Sequence, residues 1–134
     1  MGKVKNRLLL GGVLLSFLWN FYLVVGATLN DKSILTRVAG GGFESMPTGL
    51  RIAYGVQSAL IIYQIYFITK LYNRNGTWSK NSYLLARIFM ALSGVSTLVN
   101  AVSRSSAERW NAIAALIITL GFYFLGNIHL RPTK

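Results

Sequence analysis

Residues 83–102 read YLLARIFMALSGVSTLVNAV, from Tyr83 to Val102. At about 1.5 Å of rise per residue, this run crosses the roughly 30 Å apolar layer of a bilayer as one helix. Turning each residue by about 100° from the last sorts the run into two faces. Ala86, Met90, Ser93, Gly94, Thr97, Asn100 and Ala101 share one; Leu84, Leu85, Ile88, Leu92, Val95, Val99 and Val102 share the other. Lipid tails are as apolar as leucine, so the bulky face suits lipid. The small residues and hydroxyls suit a neighbouring helix, where backbones approach closely and hydrogen bonds close. The pattern predicts a membrane helix inside a bundle.

Three more apolar runs surround it. Leu8 to Thr28 follows the basic start Lys3, Lys5 and Arg7, with Gly12, Ser16 and Asn20 recurring every four residues and Ala27 nearby on that side. A secretory signal cleaved after Ala27 would also begin with basic residues and an apolar run. Its apolar core is usually about 7–15 residues, and a discarded signal needs no packing stripe, so a retained span is expected. Pro47 suits the first turn of a second span, 48–69, in which Gln57 and Gln64 lie seven apart and share a face with Ala53 and Leu60. The fourth, 110–128, aligns Ala112, Ala115, Thr119, Tyr123 and Gly126 and ends before Pro132. Trp19, Tyr22, Trp78, Tyr83 and Trp110 fall near span ends, as an interfacial aromatic belt requires. The expected fold is all-α: a single membrane domain, 1–134, forming a four-transmembrane-helix bundle.

Composition agrees. Hydrophobic residues make up 53% of the chain and charged residues 13%, where a soluble domain averages about a quarter charged. The net charge of +11 raises the question of nucleic acid. The basic residues sit between apolar runs without a basic stripe of interleaved aromatics, so anionic lipid headgroups are the expected partner and nucleic acid is not. With four spans, Lys3, Lys5, Arg7, Lys70, Arg74, Lys80, Arg87, Arg131 and Lys134 share one side against Lys32, Arg37, Arg51, Arg104 and Arg109 on the other. The positive-inside rule then predicts a multi-pass protein of the cell membrane with both termini cytoplasmic. The sequon Asn75-Gly76-Thr77 would lie inside and stay unmodified.

The loops carry three further expectations. In 29–47, Asn30 or Asp31 can cap a short amphipathic helix placing Ile34, Leu35 and Val38 on one side. Gly40-Gly41-Gly42 lacks the spacing of a phosphate loop and reads as a flexible joint. Ser105-Ser106-Ala107-Glu108 has capping-box spacing, with Glu108 reaching back to the new helix and forming an exposed ion pair with Arg104 or Arg109.

For chemistry the chain offers little. Without cysteine there is no disulfide, thiolate metal site or thiol nucleophile. Asp31, Glu44 and Glu108 are the only acids and none lies in a span; His129 is the only histidine. General acid–base work inside a bilayer needs such a group, so no catalytic residue, metal or cofactor is expected, and the chain is read as a non-enzyme. The candidate binding residues are Asn20, Gln57 and Asn100, amides on the packing faces of three spans, with Glu44 and the glycine run above them. They could line a neutral polar pocket or simply bond helix to helix. Arg87, about four residues inside its span, is the candidate headgroup or anion contact. Two functions fit. One is an accessory subunit, or a binder of a lipid-like or small neutral ligand within the bundle, partnered by another membrane protein or a second copy. The alternative is an oligomeric channel or transporter for a small solute or anion. A proton-coupled exporter would need an acid within a span.

Overall fold

The computed structural model describes residues 2–73 and 79–126; Arg74, Asn75-Gly76-Thr77, Trp78, His129, Arg131, Pro132 and Lys134 lie outside them. The described chain is helical, without strands. It comprises α1 (Lys3–Thr28), α2 (Thr48–Asn73), α3 (Lys80–Ala101), the single turn α4 (Ser106–Arg109) and α5 (Asn111–Leu125). α1, α2 and α3 are long and apolar enough to cross a membrane. α5 is described over 15 residues, about 22 Å, and is apolar on nearly every side.

α3 divides much as its spacing predicts. Leu84, Ile88, Leu92, Val95, Val99 and Val102 are exposed on the isolated chain, while Ala86 and Ser93 are buried. Ala101, read as a packing residue, is exposed, and Leu85, read as lipid-facing, is half-buried against the core. The hub, however, is α5. It packs on α1, α2 and α3, whereas α3 leans mainly on α5 and α2 mainly on α1. Small residues let α5 come close. A Cβ on Gly121 would overlap Val13 Cγ2, and one on Gly126 would stand 3.1 Å from Ala86 Cβ. Thr119 Oγ1 donates to Ser93 Oγ at 2.9 Å, and Ser93 donates to the Phe89 carbonyl, so one hydroxyl chain crosses from α5 to α3. These pairings run α5 antiparallel to both α1 and α3.

Phe122, fully buried, gathers one phenylalanine from each other long helix. Its ring centroid lies 6.2 Å from Phe17, 6.4 Å from Phe67 and 5.4 Å from Phe89. Phe67 and Phe89 also meet, edge to face at 5.7 Å, and join α2 to α3 there. Aromatic pairs at such separations contribute roughly 0.5–1.5 kcal/mol beyond the area they bury.

At the opposite end, segments 29–47 and 102–110 meet. Ile34, Leu35 and Val38, which the spacing places on one side, are buried together with Met46, Leu23 and Ala27. The backbone beneath them forms two 3-10 turns, Leu35–Arg37 and Ala39–Gly41, where an α-helix was expected. Asn30 (φ 58) closes this segment by accepting the Met46 N–H at 2.7 Å and donating to Ser45. Arg51 Nε donates to the Thr28 carbonyl at 2.8 Å, placing a cation on an unsatisfied acceptor at the C-terminal end of α1.

Candidate functional site: a polar cleft between α2 and α3

Between the phenylalanine cluster and the loop end, α2 and α3 stand apart, with α1 and α5 behind them. Two cavities occupy this space and share Asn20, Gln57 and Ser96 in their walls. The deeper one, about 250 Å³, is lined by Phe17, Asn20, Gln57, Leu60, Ile61, Gln64, Leu92, Ser93, Ser96, Ala115 and Ile118. The shallower one, about 270 Å³, adds Tyr54, Asn100, Glu108, Asn111 and, from the loop, Arg37 and Val38. Together they form a cleft roofed by the loop at one end. Phe17 lines the other end, where Phe67 and Phe89 touch.

Each helix supplies its polar group by periodicity. Gln57 and Gln64 are two turns apart on one face of α2, about 10 Å along its axis. Asn20 continues the Gly12–Ser16 stripe of α1, and Ser93, Ser96 and Asn100 lie on the packing side of α3. Asn20, Gln57 and Asn100 are thus brought to one cavity wall. Glu44 is not; it is exposed on the loop and lines neither cavity. Arg87 is exposed on α3 away from the cleft, its guanidinium 5.7 Å from the Tyr83 ring.

The lining groups differ in how their hydrogen bonds are satisfied. Asn100 donates back to the Ser96 carbonyl at 2.8 Å and to Ser96 Oγ. Gln64 is only 8% exposed, and its amide has no hydrogen-bond partner among the described residues; the same holds for Asn20 and the more exposed Gln57. None of these three amides is sealed off, since among the described residues the buried side-chain N or O atom without a partner is Asn6 Oδ1. They turn their free donors and acceptors to the cavity, and filling it with hydrocarbon would cost about 1–3 kcal/mol per group. Buried amides that serve only as glue should be paired, as Asn111 is.

Asn111 was not singled out from the sequence. It is buried at the start of α5, accepts the Trp19 indole N–H at 3.0 Å and donates to the Arg37 carbonyl at 2.8 Å. One amide thereby ties α5 to α1 and to the roof. Trp19, expected in an interfacial belt, is engaged there and lies under the Arg37 guanidinium, 5.7 Å away.

Glu108 corrects a second expectation. It is buried and forms no ion pair with Arg104 or Arg109. Its Oε2 accepts the Gly40 N–H at 2.7 Å and the Ser103 hydroxyl, while Arg109 Nη1 donates to the Ser103 carbonyl. Half of the capping box is present, with Ser105 Oγ accepting the Glu108 N–H at 3.2 Å. The carboxylate reaches across to the glycine run. Residues 39–41 therefore form a turn built on positive φ at Ala39, Gly40 and Gly41 (48°, 77° and 71°). A Cβ on Gly41 would meet the Thr36 carbonyl at 2.8 Å and Ser105 Cβ at 2.9 Å. Ser105 donates to that same carbonyl. The roof is bonded to 103–111 by Glu108, Ser105 and Asn111.

Among the described residues no group of three or more His, Cys, Asp or Glu could hold a metal ion. The deeper cavity carries no ionisable side chain. Its groups can donate and accept hydrogen bonds and do no proton transfer. Compared with protein-family models, with curated proteins and with solved structures, the chain matches none.

Proposed function

We propose that this chain is a non-enzymatic integral protein of the cell membrane that holds a small neutral or lipid-like molecule in the cleft. It crosses the bilayer four times, α5 being the fourth span, with both termini cytoplasmic and the 29–47 and 102–110 loops outside. The cleft then opens within the outer half of the bilayer. The charge ledger supports this orientation, and the lipid-like exposed face of α3 supports the membrane setting. The packing of Val13, Phe17 and Val24 in the core supports a retained α1.

One observation carries the binding role: the Gln64 amide lines the cavity, nearly buried and without a protein partner. The phenylalanine cluster at the far end favours a blind cleft over a pore through one chain. The test is to extract the full chain from its membrane with its surrounding lipid and to identify retained small molecules by native mass spectrometry. A molecule held by the wild type and depleted by Gln57→Leu, with the helical circular dichroism unchanged, is the expected result. Specific halide or solute flux in liposomes, with no retained molecule, would replace this role with that of an oligomeric channel.

A further inference from the structure

The walls of the deeper cavity describe a ligand more closely, once the binding role just proposed is taken as the premise. No side chain there carries a charge, so an ion placed in it would lose its hydration and meet no counterion, a cost of several kcal/mol even after relaxation. A pure hydrocarbon would leave the Gln64 amide buried and unpaired. The ligand part that reaches this depth is therefore uncharged and rich in hydrogen-bonding oxygen. Asn20, Gln57 and Gln64 each offer both a donor and an acceptor to it.

Size and exits complete the description. A chamber of about 250 Å³ has room for a compact polar head group. Toward the loop end, the cleft meets a roof bonded to 103–111 by Glu108, Ser105 and Asn111. Toward the other end, Phe67 and Phe89 close the gap between α2 and α3. Between these levels the flanking side chains are Leu60 on α2 and Leu92 on α3, 38% and 53% exposed. Two partly exposed leucines thus line the lateral side of a neutral polar chamber.

We propose that the cleft binds an uncharged single-chain amphiphile, of the class of a monoacylglycerol. Its carbonyl and hydroxyl oxygens sit among Asn20, Gln57 and Gln64, and its tail leaves between Leu60 and Leu92 into the surrounding lipid. Entry is lateral, from the bilayer.

The test uses the full chain in phosphatidylcholine nanodiscs and a monoacylglycerol bearing a photoreactive diazirine in its tail next to the ester. Labelled peptides are expected to contain Leu60 or Leu92. Unlabelled 1-oleoylglycerol should compete, whereas 1-oleoyl lysophosphatidate, 1-octadecene and glycerol should not. Gln64→Leu should weaken competition about tenfold, the scale of one lost hydrogen bond. Should that variant fail to fold, Leu92→Trp blocks the lateral side of the chamber and should lower labelling with melting temperature unchanged. Equal competition by lysophosphatidate, octadecene or glycerol would overturn the ligand class while leaving a binding cleft. Scattered labelling that neither variant changes would overturn the ligand class and the binding role together.

Discussion

The Glu108 carboxylate and the Gly40 amide meet at 2.7 Å, joining two loops 68 residues apart in the chain. Glycine at position 40 permits the left-handed turn in which this N–H meets Glu108. The acid replaces the water that would otherwise solvate the amide. We expect Glu108→Ala to destabilise the bundle by about 1–3 kcal/mol, because it strands the Gly40 donor and the Ser103 hydroxyl. Glu108→Gln keeps an acceptor and should cost less. Arg104→Ala and Arg109→Ala should each stay within about 0.5 kcal/mol, as exposed changes do. Thermal melting in detergent ranks the four; a wild-type melting curve for Glu108→Ala would show that this contact does not hold the roof.

Gly121 and Val13 set the separation of α5 from α1. The Cβ of Gly121→Ala would overlap Val13 Cγ2. Valine is confined to few rotamers in a helix and cannot turn away cheaply. The variant should lose about 1–3 kcal/mol to overpacking, despite alanine's better helix propensity. Adding Val13→Ala should return part of that loss in a double-mutant cycle. Two independent, additive losses would mean the helices do not touch there.

Two amides in the same cleft should respond oppositely to leucine. Asn111→Leu strands the Trp19 indole N–H and the Arg37 carbonyl and should cost about 1–3 kcal/mol for each group left unsatisfied. Gln64→Leu removes a group with no protein partner and should leave stability unchanged or raise it. Melting temperatures of both variants, in detergent without added lipid, check the pair. A large loss at Gln64 would assign it a structural bond and remove the main support for a binding chamber.

Asp31 gives the loop a dependence on pH. The Ser33 hydroxyl, and then the Ser33 backbone N–H, donate to its carboxylate and hold its pKa below the ordinary aspartate value. A depressed acid stabilises the folded loop at pH above the unfolded carboxyl's range, and the contribution is lost as pH falls through the folded value. Asp31 is the only aspartate in the chain, so carbon-13 aspartate gives a single carboxyl resonance to titrate. Ser33→Ala should move its midpoint upward; no movement would show that the hydroxyl bond does not form.

The legible part of the fold came from contrast. α3 sets leucine and valine against glycine, serine and threonine, so its two faces separate on a helical wheel and most of them separate in the structure. The same contrast put Asn20, Gln57 and Asn100 on packing faces, and all three line one cavity. α5 has isoleucine, leucine or phenylalanine on nearly every side, so periodicity is silent about its central place. Asn111 and Glu108 were illegible for another reason. Their partners, Arg37 and Gly40, are 74 and 68 residues away, and no local spacing encodes that approach. Glu44 had nothing but loop position to recommend it, and loop position did not bring it to the cleft.

α5 is the last of the long helices to leave the ribosome, yet Phe122 is the ring against which Phe17, Phe67 and Phe89 all rest. Until it arrives, the three earlier helices lack the ring that Phe17, Phe67 and Phe89 share. The shared aromatic cluster therefore waits on the synthesis of α5, at about 5–20 residues per second. A chain stalled or cut before Asn111 would hold three long apolar helices without the ring that joins them, a natural substrate for quality control.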